Sequence, residues 1–162
     1  MARRRRSREM AVKVLYQADM SGVSIAEAFQ LYCAHFGGSE EKREFAKELL
    51  DGVQAHLDEI NGLISRSSEN WRLERMSLVD RNILRLAIYE ILCRPDIPTK
   101  VSINEAVEIG KKFGSEESGA FINGILDRIR THVRGEEEEA VPDKEGRAPG
   151  QTSGAGQESD RS

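Results

Sequence analysis

Cysteine is nearly absent from this chain of 162 residues, with only Cys33 and Cys93, 60 positions apart. That is neither the density of a disulfide scaffold nor a CxxC pair, so a small secreted disulfide fold and a thiol-ligated redox or metal centre are excluded. Both read as buried thiols of a cytosolic protein. Histidine is as sparse: His35, His56 and His132 lack the HExxH, HxxxH or Cys/His spacing of a metal site. No G-x-S-x-G elbow occurs. No run approaches the roughly 20 apolar residues that span a bilayer, and the Arg-rich start leads into an amphipathic segment rather than the apolar core of a signal peptide. The expectation is a cytoplasmic protein with no cofactor, no metal and no membrane segment. The length suits one domain and excludes a large multidomain enzyme.

Net charge is also nearly missing, at −4 from 24 Lys+Arg and 28 Asp+Glu, but the balance hides a polarity. Residues 1–20 hold six basic and two acidic side chains, whereas residues 135–162 hold eight acidic and three basic ones. A basic end offers a site for phosphates and an acidic end repels them.

What the chain does have is apolar residues at helical spacing almost throughout, with no sustained strand alternation, which predicts an all-α fold. Ala11, Val14, Leu15 and Ala18 form a first stripe. Ser24 with Glu27 reads as a capping box for a second helix, which Gly37 and Gly38 end. The segment 39–65 reads as one long helix, the longest of the chain, with Phe45, Leu49, Gly52, Val53, His56 and Ile60 on one face. Trp71 and Leu73 fall in a turn before Ser77, which caps the helix carrying Ile83, Leu84, Ala87, Ile88, Ile91 and Leu92. That helix covers more than one face with apolar side chains and is expected at the centre, stopped before Pro95. Ser102 with Glu105 reads as a further capping box, Gly114 as the end of that helix, and a last helix runs from about Glu116 to Gly135. The composition then turns to Glu, Gly, Ser and Pro with four small apolar side chains in 28 residues, which predicts disorder over 135–162. The expected division is a helical domain over 1–134, opened by a flexible arm over 1–8, and an acidic tail.

The candidate chemistry lies in the arm, where Arg3, Arg4, Arg5, Arg6 and Arg8 run into a helix. The guanidinium fork grips phosphate oxygens and stacks on bases, so the arm fits a single-stranded RNA clamp. Composition alone equally allows a solubilising end or a contact with anionic lipid. Lys100, Lys111 and Lys112, with Tyr16 and Phe121, extend a phosphate- and base-binding surface if those two aromatics are exposed, and belong to the core if they are not. The glycines of GKKFG at 110–114 flank a helix end rather than a phosphate loop, since no Ser or Thr follows the lysine at a helix start.

Four segments in order, RRRRSREMAVKVLYQ from Arg3, LVDRNILRLAIYEIL at 78–92, IPTKVSINEAVEIGKKFG at 97–114 and FINGILDRI at 121–129, resemble the NusB family of bacterial transcription antitermination factors. The resemblance covers roughly residues 3–130, although 21–70 matches only in helical pattern. It implies a compact all-helical fold of about seven helices in two small subbundles, without enzymatic activity. It also implies binding to the boxA element of ribosomal RNA leader transcripts together with NusE, a ribosomal small-subunit protein, within the RNA polymerase antitermination complex. By the same resemblance the RNA side comprises Arg4, Arg5, Arg6, Arg8, Tyr16, Lys100, Lys111 and Phe121, bordered by the acidic Glu117. The NusE side comprises Tyr16, Glu74 and Asp80. Two other readings stay open: a helical adapter or homodimer without RNA, and a stand-alone relative of the NusB-like domain that precedes the catalytic domain of some ribosomal RNA methyltransferases. No Gly-rich nucleotide loop supports the latter.

Overall fold

A computed structural model describes residues 2–68 and 76–140, with side chains described for 4–68 and 76–133. The described residues form seven helices and no strand: α1 (Ala2–Ser21), α2 (Ile25–Phe36), α3 (Glu40–Ala55), α4 (Leu57–Ser67), α5 (Leu78–Cys93), α6 (Thr99–Phe113) and α7 (Ser118–Ala140). The chain divides into two units, residues 1–130 and 131–162, and the packing described here is that of the first. Trp71, Leu73 and Glu74 lie outside the described residues.

Serine hydroxyls set three helix starts. Ser24, Ser39 and Ser77 accept hydrogen bonds from the backbone N–H groups of Glu27 (3.0 Å), Lys42 (3.2 Å) and Asp80 (3.0 Å), each satisfying a donor that the helix cannot pair internally. Gly37, at φ 70°, ends α2 in the left-handed region. The centre is α5. Its Ile83, Leu84, Leu86, Ala87 and Ile88 are buried, and it packs against α1, α3, α4 and α6. The first stripe, Ala11, Val14, Leu15 and Ala18, is buried as well, where α1 meets α2, α3 and α5.

Five expectations are corrected. The segment 39–65 is two helices, because His56 (φ −118°, ψ 22°) breaks the helix and caps the end of α3 through N–H bonds to the carbonyls of Gly52 and Val53. The longest helix is instead α7, with 23 residues. Ser102 and Glu105 form no capping box: α6 begins at Thr99 behind Pro98, whose φ of −58° already suits a helix, and both residues lie buried in the next turns. Gly135 does not close α7, which continues to Ala140; an interior glycine costs a helix only about 1 kcal/mol, and glutamate is a good helix former. Cys33 and Cys93 are half-buried rather than enclosed. The fifth concerns the arm. Residues 2–8 are the opening turns of α1, and the side chains of Arg4, Arg5 and Arg8 dock on α3, α6 and α5.

Candidate nucleic-acid interface

Arginines at the start of a helix face the positive end of its dipole and ought to fray it. Acidic side chains from α5 and α6 reverse that. Arg5 donates from Nε and Nη2 to the two carboxylate oxygens of Glu105, both at 2.8 Å. Arg8 does the same with Glu90, at 2.7 and 3.1 Å, and its Nη1 lies 4.0 Å from Glu105. The Ser102 hydroxyl completes the cluster by donating to Glu90 Oε1 at 2.6 Å. The Arg8 and Glu90 side chains are 4% and 1% exposed, so their charges lie almost wholly out of water and depend on each other. The Arg5 hydrogen bonds and charge hold the Glu105 carboxyl below its usual range, and the same contact drives the Arg5 guanidinium further up.

Docking sorts the four arginines. Arg4 and Arg6 are exposed, and among the described residues no carboxylate pairs with either. The Arg4 guanidinium stacks on the Phe45 ring of α3, 4.4 Å from its centroid. Arg5 is partly exposed but clasped. Arg8, expected on the RNA side, is buried, and its fork is filled by Glu90.

The same contacts place α1 beside α6. Arg5 meets Glu105, and one turn further along α1 and two turns further along α6 Glu9 accepts from Lys112 at 3.2 Å, so the two helices run alongside in one direction, bridged by long side chains. Lys13 and Lys112 flank the Phe113 ring at 5.4 and 5.3 Å. Lys100 and Lys111, at opposite ends of α6, are exposed, and Lys111 pairs with Glu108 at 3.5 Å. Eleven residues of helix separate them, roughly 16 Å at 1.5 Å per residue, a reach of several nucleotides. Gly110 lets α7 approach α6: a methyl group there would lie 2.7 Å from Ile122 Cδ1. That approach puts Glu117 and Phe121 near the C-terminal end of α6. Glu117 is exposed and Phe121 half-buried, as is Tyr16.

On α5, Asp80 sits in the first helical turn, half-buried, with Oδ1 shielded from water and accepting no hydrogen bond among the described residues. Next to it, Asp19 of α1 gathers Arg81 (3.1 Å), Arg85 (3.0 Å) and the Asn82 amide (3.2 Å). Burial pushes the Arg85 guanidinium down.

Sequence reasoning missed Glu105, Glu90, Lys13, Phe113 and Phe45 as parts of this surface. Glu105 read as part of a helix capping box, and Phe45 as one of the side chains on the face of a long helix. The available signal was the unopposed positive charge of the arm, which needed buried carboxylates if it was to fold.

The described residues are therefore all-helical, with a cationic face built from α1 and α6. Residues 5–131 match the NusB family. The transcription antitermination protein NusB of Myxococcus xanthus is 55% identical over 136 residues, 80% of this chain and 95% of that protein. The crystallised NusB of T. maritima is 40% identical, with a TM-score of 0.75 across 85% of this chain and 97% of that one. A structure of the antitermination factors NusB and NusE in complex with dsRNA contains a chain 28% identical, with a TM-score of 0.74 over 82% of this chain and 98% of that one. The chain belongs to the NusB family. No helix among the described residues is long and apolar enough to cross a membrane.

Proposed function

We propose that this protein is a transcription antitermination factor that binds single-stranded boxA RNA of ribosomal leader transcripts jointly with NusE, acting in the cytoplasm within the RNA polymerase antitermination complex and catalysing no reaction. The observation that carries this is the alignment of α1 and α6 through Arg5–Glu105 and Glu9–Lys112, which sets the lysines of α6 beside the arginine-rich first turns of α1, where Arg4 and Arg6 are exposed on either side of Arg5. Those cations hold phosphates, while Tyr16 and Phe121 supply rings on which unstacked bases lie. Glu117 borders this surface and tempers affinity. Asp80, Glu74 and Tyr16 are the NusE contacts, where an acidic side chain meets cations of the ribosomal protein. Titration of labelled boxA RNA, and of an unrelated RNA of equal length, with and without NusE tests this. Tighter binding of boxA that strengthens further with NusE is expected. Equal binding of both RNAs, unaffected by NusE, would overturn it.

A further inference from the structure

The role of Glu105 extends beyond folding. We propose that Glu105 sets how many arginines of α1 grip phosphate: its carboxylate fills the guanidinium fork of Arg5 in the place a phosphate would take, leaving the task to exposed Arg4 and Arg6. This rests on the RNA-binding reading of the surface and deepens it.

The geometry is that of a phosphate complex with a carboxylate in its stead. Two parallel N–H donors of Arg5 reach two oxygens, each at 2.8 Å, the bidentate arrangement that guanidinium makes with either anion. The Arg5 side chain is 46% exposed while Glu105 is 9% exposed, so the arginine lies on the RNA-facing surface and its partner beneath it. Glu105 is held in place by its surroundings. It is carried on α6 beside the buried Ile103, Ala106 and Ile109, and Arg8 at 4.0 Å holds the same carboxylate from the other side. A phosphate arriving at Arg5 must break a preformed ion pair and leave a shielded carboxylate behind, so Arg5 adds little net counterion release. Among the described residues no carboxylate clasps Arg4 or Arg6 in this way, although the Arg4 charge acts on Asp96, which Arg94 holds. A run of four consecutive arginines, Arg3 to Arg6, therefore counts for less toward RNA than its charge suggests, which keeps sequence-independent binding low.

Glu105→Gln keeps the length of the side chain but turns one acceptor oxygen into an NH2 group facing the Arg5 donors, which opens the fork. The experiment is salt-dependent titration of labelled single-stranded boxA RNA against the full chain as wild type, Glu105→Gln, Arg5→Ala and the double variant, with melting curves to verify folding. One added phosphate contact steepens the slope of log K against log salt by about 0.7, equivalent to roughly fivefold tighter binding at 0.1 M salt. Glu105→Gln is expected to show that gain, Arg5→Ala to match wild type in slope, and the double variant to lose the gain. A gain that persists without Arg5 would make Glu105 a general repulsive charge and overturn the proposal, as would an unchanged Glu105→Gln slope. If Glu105→Gln does not fold, Arg5→Ala decides alone: a slope flatter by about 0.7 refutes the masking. Wild type that binds no RNA sinks the function reading and this role with it, whereas wild type that binds while Glu105→Gln is unchanged sinks only this role.

Discussion

Among individual residues, four arginines of like appearance in sequence divide by what lies beneath them. Arg8 contributes to folding: with Glu90 it forms a buried pair, and removing one member strands the other charge away from water. Arg8→Ala is expected to cost about 3–5 kcal/mol, measured by chemical denaturation, while the salt slope of RNA binding by the molecules that remain folded stays at the wild-type value. An Arg8 variant as stable as wild type would show the pair to be dispensable. Replacing all four arginines together is for this reason a poor test of RNA binding, since it also removes this support. Glu105 supplies a pH signature. Because the Arg5 hydrogen bonds hold its folded value below the ordinary 4.5, its ionised form stabilises the fold fully above that pH, and the contribution is lost as pH falls through the folded value. The melting temperatures of wild type and Glu105→Gln should therefore differ at neutral pH and converge in acid below 4.5. A gap that is constant with pH would mean that the charge of Glu105 does not stabilise the fold.

At the scale of helices, close approaches decide what substitution is tolerated. The Tyr89 ring of α5 lies against Gly52 of α3, so that a Cβ at Gly52 would overlap the ring. Alanine normally favours a helix over glycine by about 1 kcal/mol, but here overpacking wins, and Gly52→Ala is expected to destabilise by about 1–3 kcal/mol. Combining it with Tyr89→Leu should recover part of that loss, a non-additivity that denaturation of both single variants and the double variant measures. At the N-terminus of α5, Asp80→Asn should leave both folding and NusE binding close to wild type if Asp80 serves only the helix end. If it also meets NusE cations, Asp80→Lys should lose most NusE affinity in calorimetric titration while costing only about 1 kcal/mol of folding stability. Helix identity was legible in sequence wherever an apolar stripe and a serine cap coincided, as at Ser24 and Ser77. The break at His56 was not legible from the stripe, because Val53, His56 and Ile60 keep helical spacing across it; the sign of a new helix was the acidic pair Asp58 and Glu59 in the first turn of α4. Nor was the order of the arm legible. Its partners Glu90 and Glu105 are 82 and 100 residues away, and no local pattern reports a contact at that range. The RNA face was legible as charge, but not which charges are available.

For the whole molecule, charge is segregated along the chain, and binding should respond to removal of its acidic end. Residues 135–162 carry five net negative charges, but four of their eight acidic residues are Glu136–Glu139, inside the span of α7. Truncation after Arg134 is expected to tighten RNA binding modestly at low salt with little change in melting temperature. Truncation after Ala140, which removes four acidic and three basic residues, should do almost nothing. Filter binding at several salt concentrations separates the two, since screening over about 10 Å at 0.1 M erases a purely electrostatic difference as salt rises. The account stands most directly on the claim that exposed Arg4 and Arg6, rather than the whole arginine run, hold the RNA backbone. The measurement is the salt slope of boxA binding for Arg4→Ala/Arg6→Ala beside Arg8→Ala, in protein shown to be folded. The account predicts a slope flatter by about 1.4 for the pair, at about 0.7 per lost phosphate contact on a single strand, and no change for Arg8→Ala. An unchanged slope for the pair, or an equal loss for Arg8→Ala, would contradict it.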